Sequence, residues 1–388
     1  MTRLQIFNYV KSTQPFDLLC VGIFFLRSVR EAVFSMVAIH HRDATCITCC
    51  KTPANQRIIQ SCKSLKAGFV PAWYSRGKHA QTFLQSCISK PESQYRRELF
   101  KLPHNTATEV ALDWKENLTM NEKTPIVVTL HGLGGSSDSN YMQVFTHSAL
   151  QRGFRSVCYN RRGHGGTVFQ NAKFPKYVNM EDMNAIVEHI CTLYPLAPKF
   201  LIGFSCGGNL AVNYIASMVP NPFIATVSIS NGYDIWKGVN LLKSDWVADS
   251  MSNQFLKSML TPACVKQLSD DGVDVNVLIK TKSLSELDKL LILPIYNYSN
   301  LRDYYDDDSC HTKLKHVKTP LLCIGCLNDP IVDASLTQIP TDAAKTNPNI
   351  INVVTEHGGH IGWYEGRNRE QWSTKLYFEY VNSFLNDL

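Results

Sequence analysis

Ser205 sits at the centre of Gly203-Phe-Ser-Cys-Gly207, the G-x-S-x-G pattern of a nucleophile presented on a tight strand-to-helix turn. An apolar run, Lys199–Phe204, precedes it, and Leu210, Ala211, Tyr214, Ile215 and Met218 recur at helical spacing after it. Such a turn strains the backbone at the serine so that its Oγ stands clear of the sheet. Glycines on either side remove the β-carbons that would collide there. The helix starting at Cys206 would aim its N-terminus, and the Cys206 N–H, at an oxyanion formed on any carbonyl that Ser205 attacks. Five residues alone also fit an incidental serine in a Gly-rich turn. Its partners decide between the two.

Two partners lie downstream, each just after a strand-type run. Asp329, in Asn328-Asp-Pro330, follows Pro320–Leu327, and His360, in Glu356-His-Gly-Gly-His360, follows Asn352–Val354. Ser, Asp, His is the chain order of α/β-hydrolases, whose functional groups meet at the carboxyl ends of parallel strands. The chemistry expected is acyl transfer. Ser205 attacks, His360 takes and returns its proton, and Asp329 holds the imidazole tautomer. The loop His131-Gly-Leu-Gly-Gly135 is expected to give a second oxyanion donor, the Leu133 backbone N–H, beside that of Cys206. Asp333 and His357 are near rivals, but Asp333 falls within the following loop, and the paired glycines before His360 suit a loop reaching over the serine. Asp306–Asp308 reads as a solvated face, and His131 and His164 as loop-shaping residues. An aspartate nucleophile is excluded at position 205. No H-E-x-x-H or clustered carboxylate motif calls for a metal, and the mechanism requires no cofactor.

The elements needed to position these groups are legible. Arg96–Leu102 and Thr108–Trp114 read as a hairpin around Pro103–Asn105. From Thr124 on, strands alternate with helices: Ile126–Leu130, Ser156–Tyr159, a helix carrying Met183, Ile186, Val187, Ile190 and Tyr194, the elbow, then Ile224–Ser230. That alternation predicts a mostly parallel, doubly wound sheet with helices on both faces. Residues 232–308 break the pattern and are expected to form a helical cap over the site. A closing helix is expected at Tyr377–Phe384. The division expected is an N-terminal extension at 1–55 and one catalytic domain at 56–388.

With 388 residues, 44% hydrophobic and 19% charged, the chain suits one large core. A net charge of +6 without a basic stripe interleaved with aromatics disfavours nucleic acid as a partner, and leaves a weak attraction to anionic membrane surfaces. Thirteen cysteines are scattered through the chain; Cys323 and Cys326 have metal or redox spacing but no second pair, and read as core residues. The apolar segment 16–39 is interrupted by Arg27, Arg30 and Glu31, which share a helical face. It is expected to associate with a membrane as an interfacial helix or a poor anchor, the alternative being a helix packed on the domain. Cys46, Cys49 and Cys50 after it read equally as acylation sites or loop cysteines. The sequons at Asn117 and Asn297 matter only in a lumenal setting.

Several short blocks together resemble the membrane-anchored α/β-hydrolase domain-containing proteins 1, 2 and 3: Ala67-Gly-Phe-Val-Pro-Ala-Trp73, Gly77-Lys-His-Ala-Gln-Thr82, Gly203–Asn209, Asp303-Tyr-Tyr-Asp-Asp-Asp-Ser-Cys310, Asn328–Pro330 and His357–His360. Asn231-Gly-Tyr-Asp234 leans towards the second, monoacylglycerol-lipase-like branch. The resemblance spans roughly residues 55–385. It implies the α/β-hydrolase fold, a serine hydrolase acting on lipid esters (acylglycerols first, phospholipids or smaller esters next), a single N-terminal membrane anchor, and a triad of Ser205, Asp329 and His360. Cys206 departs from the Leu or Met common after the serine, where only the backbone N–H is needed. Acyl transfer to another alcohol, or ligand binding with little catalysis, are the competing functions.

Overall fold

Five-to-seven-residue apolar runs whose side chains alternate between two buried faces can only be satisfied in the middle of a sheet covered on both sides. A computed structural model, which describes residues 15–37, 43, 45–87, 91, 94–167, 174–257, 260, 262–270, 272–366 and 370–385, places them there. The strands are β1 (Cys46–Cys49), β2 (Arg96–Leu102), β3 (Asn105–Lys115), β4 (Ile126–Leu130), β5 (Arg155–Asn160), β6 (Lys199–Phe204), β7 (Phe223–Ile229), β8 (Leu321–Cys326) and β9 (Ile350–Thr355). They form one nine-stranded sheet in the order β1-β9-β8-β7-β6-β4-β5-β3-β2. From β9 across to β5 every pairing is parallel. The hairpin β2–β3 joins β5 antiparallel at one edge, and β1 joins β9 antiparallel at the other.

Alternation along the strands divides the core. Val128, Leu130 and Leu201 face the helices Met180–Leu193 and Cys206–Ser217, through Met183, Ile186, Leu210 and Tyr214. Val127, Phe200 and Ile202 face the helices Asn140–Gln151 and Trp372–Leu385, through Phe145, Tyr377 and Phe378. Helices therefore cover both faces of the sheet, and the strand ends that carry the candidate groups share one rim.

Between β7 and β8 the described chain from Ile235 to Asp308 is mostly helical, from Ile235–Leu242 to Leu301–Asp308, with short turns between the helices. These helices hold a hydrophobic cluster of their own around Leu287, Leu291, Tyr304 and Tyr305, and Leu133 of the β4 loop packs against it. The Asp308 carbonyl accepts bonds from Asn209 Nδ2 at 2.7 Å and Asn213 Nδ2 at 3.0 Å, which ties this layer to the helix after Ser205.

Cys46–Cys49, read in the sequence as loop or acylation cysteines, form an edge strand, and no disulfide joins the described cysteines. Four residues carry too little periodicity to announce a strand; β9 supplies the pairing. The helix Pro15–Val37 packs on the domain, the alternative that the sequence left open. Arg27 bonds Asp245 at 2.8 Å, and Glu31 accepts the His79 and Ala80 N–H groups at 2.8 and 3.1 Å, so these charges turn towards the protein. Cys20 and Phe24 are buried with them, while Leu26 (66% exposed), Val33 (58%) and Phe34 (66%) face outward. No described helix is long and apolar enough to cross a membrane, so the single anchor implied by the resemblance finds no span among these residues. The end of the apolar segment, at Ala38 and Ile39, lies outside the described residues.

Candidate active site

The elbow forms because its neighbours leave no room for anything else. Ser205 has φ 54° and ψ −122°, a conformation that side chains rarely adopt, and its N–H is fixed to Ile229 O at 2.8 Å. A β-carbon at Gly203 would lie 2.2 Å from Gly207 O, and one at Gly207 would lie 2.3 Å from Leu130 O. Both contacts are backbone, so neither can be relieved by a side-chain rotation.

The structure brings the three sequence-expected groups together. Ser205 Oγ lies 3.0 Å from His360 Nε2, and His360 Nδ1 lies 2.9 and 3.1 Å from the two Asp329 carboxylate oxygens. Asp329 Oδ1 also accepts the Ile331 and Val332 N–H groups at 2.8 and 2.9 Å, which orients the buried carboxylate. A carboxylate can only accept from Nδ1, so Nδ1 carries the proton and Nε2 is left with a lone pair facing the serine hydroxyl. Around the imidazole, the His360 N–H donates to Thr82 Oγ1 at 2.8 Å, Gln85 Nε2 donates to His360 O at 3.3 Å, and Gly359 N–H donates to Asn328 Oδ1 at 3.0 Å.

The rivals are engaged elsewhere. Asp333 accepts the Ser335 N–H of its own turn. His357 Nδ1 pairs with Asp43 at 2.9 Å. Asp43, Glu356 and His357 are also the one group among the described residues with metal-ligand atoms within reach of one another. The run Asp306–Asp308 is not uniformly solvated: Asp306 pairs with Arg302, whereas Asp308 is buried against Lys176 and the Val178 N–H.

On the other side of Ser205 lies the β4 loop. A β-carbon on Gly132 would sit 3.3 Å from Ser205 Cβ, so this loop is in contact with the nucleophile. Neither the Leu133 N–H nor the Cys206 N–H meets an acceptor among the described residues. His131 and His164 are buried with rings 4.6 Å apart. Burial, with the Arg161 charge next, holds the His131 imidazole well below its usual range, and the same two causes push His164 down to about 3. Both are therefore neutral. His131 Nε2 accepts the Arg161 N–H at 3.2 Å, which leaves the proton on Nδ1, 2.8 Å from Gly132 O.

Sequence reasoning passed over several residues that shape this site. Thr82 and Gln85 belong to a helix whose first turn appeared only as one of the resembling blocks. Tyr141 OH accepts the Gly132 N–H at 2.9 Å, and Arg161 reaches the loop from β5. No spacing links them to Ser205; only the sheet order does.

Comparison with known proteins agrees with the architecture. The chain matches the alpha/beta hydrolase fold family over residues 125–367. Phospholipase ABHD3 of Mus musculus is 34% identical over 305 residues, 76% of this chain and 72% of that protein. Monoacylglycerol lipase ABHD2 of Danio rerio is 26% identical over 360 residues, 87% and 85% of the two chains. Among solved structures, the Pyrococcus furiosus esterase Pf2001 superposes with a TM-score of 0.53 at 17% identity, covering 76% of this chain and 92% of its own, a likeness of fold.

Proposed function

The chain belongs to the α/β-hydrolase fold family and is a hydrolase, and from that premise we propose that it cleaves carboxylic esters of lipids through an acyl-Ser205 intermediate. His360 Nε2 takes the hydroxyl proton as Oγ bonds to the acyl carbon, and the carbonyl electron pair moves onto oxygen between the Leu133 and Cys206 N–H groups. Collapse breaks the ester bond, and the departing alcohol takes the proton from His360. Water then attacks with His360 again as base, releasing the fatty acid and restoring Ser205. Asp329 keeps the proton on Nδ1 and stabilises the imidazolium. The observation carrying this reading is the unbroken hydrogen-bond line from Ser205 through His360 to Asp329.

Acylglycerols are the first substrates proposed. Phospholipid esters are the second reading, favoured by the higher identity to the phospholipase relative (34%) than to the monoacylglycerol lipase (26%). The membrane contact belongs to the N-terminal helix, which would lie in the interface with Leu26, Val29 and Val33 in the lipid, Arg27 and Glu31 held by the protein and the exposed Arg30 at the headgroups.

A fluorophosphonate probe tests the core of the reading. Labelling of the wild type that disappears in Ser205→Ala is expected. Folded wild-type protein that does not label would favour a ligand-binding protein instead. Turnover of monoacylglycerol, phospholipid and short p-nitrophenyl esters then ranks the substrate classes, and added alcohol tests for acyl transfer.

A further inference from the structure

Arg161, just past the end of β5, is a buried cation with no carboxylate partner among the described residues. One terminal nitrogen donates to Gly132 O at 3.1 Å and lies 3.2 Å from Cys206 Sγ; the other reaches Tyr177 O at 3.4 Å. Its Nε is buried without an acceptor. A guanidinium held this way is a stability liability, because carbonyls and a sulfur compensate a buried charge less well than a carboxylate. Such exceptions to ordinary packing concentrate at working sites.

The placement of its contacts assigns the work. Gly132 O is the carbonyl of the peptide whose N–H belongs to Leu133, and in a trans peptide the two point in opposite directions. Gly132 O accepts from Arg161, from His131 Nδ1 at 2.8 Å and from the Gly135 N–H at 3.1 Å, so donors gathered on the carbonyl side fix the direction of the Leu133 N–H. The same guanidinium touches Cys206, owner of the second free N–H. We propose that Arg161 is a positioning residue of the oxyanion hole. It locks the Gly132–Leu133 peptide, polarises its N–H, and sets a positive charge behind the oxygen that becomes negative in the transition state. This deepens the reading of Leu133 and Cys206 as oxyanion donors and rests on it.

The position acts on the transition state and not on the bound ester, so the kinetic signature is specific. In Arg161→Met, kcat on a p-nitrophenyl ester is expected to fall by about 10- to 100-fold with KM nearly unchanged. A long-chain trifluoromethyl ketone, which forms a hemiketal oxyanion with Ser205, should bind weaker by the same factor, while the matching amide, which forms none, binds as before. Arg161→Lys should recover part of the loss, and compared with Arg161→Gln it serves the same purpose if the Met variant does not fold. A kcat within twofold of wild type in folded Arg161→Met or Arg161→Gln overturns the proposal, as does a loss confined to KM or one the trifluoromethyl ketone does not register. Turnover persisting in Ser205→Ala would instead remove the nucleophile reading, so the two failures are distinct.

Discussion

At the scale of single residues, the site depends on directions more than on proximity. Asp329→Asn leaves the packing nearly intact but can donate to Nδ1, which would turn the imidazole tautomer and take the lone pair from the serine. Loss of kcat by about 10⁴-fold is expected, with a melting temperature close to wild type. Asp333→Asn, which keeps the acceptor of its turn and removes only the charge, should leave kcat unchanged. Gly207→Ala meets backbone at 2.3 Å and should cost about 3 kcal/mol of stability, read as a lower denaturation midpoint. Ser205, Asp329 and His360 were readable because each directly follows a strand-type run, and strand ends of a parallel sheet share a rim. Arg161 was not, since its neighbour Arg162 carries the conventional ion pair with Asp182 while its own partners are carbonyls from other segments.

At the scale of elements, the helical layer over the site contains its own pH-sensitive contact. Asp288, on the helix Leu284–Tyr296, accepts the Tyr177 and Tyr305 hydroxyls at 2.6 and 2.7 Å, and burial pushes its carboxyl up to about 7. Asp308 nearby is pushed up to about 6 by burial against the opposing pull of Lys176, and burial also raises Asp249. A carboxyl with a raised folded pKa binds its proton more tightly in the folded state. Its contribution is therefore full below about 4, its unfolded value, and is lost as pH rises through about 7. Asp288→Asn still accepts both hydroxyls and cannot ionise. Its melting temperature is expected to fall less than that of the wild type between pH 4 and 8, as a calorimetric series would record. The sequence announced helices here but not this contact, because it joins residues from three separate segments. It also gave no sign of β1, whose pairing partner lies some 300 residues away.

At the scale of the whole molecule, the N-terminal helix turns Arg27 and Glu31 towards the protein and leaves Leu26, Val33 and Phe34 exposed, with Arg30 exposed among them. Leu26→Asp with Val33→Asp should abolish co-flotation with phosphatidylcholine–phosphatidylserine vesicles while leaving hydrolysis of a water-soluble ester intact; flotation equal to wild type would sink the interfacial reading. The Glu31 carboxylate of this helix closes the first turn of Lys78–Cys87, and two turns of that helix also hold the backbone of His360 through Thr82 and Gln85. Glu31→Gln is accordingly expected to lower kcat even on a soluble ester. The part that would rest on a bilayer and the part that would shuttle the proton thus share one short rod, and a lipid surface pressing on the former would lean on the latter, so that where this protein is moored and how readily it turns over would become a single mechanical question.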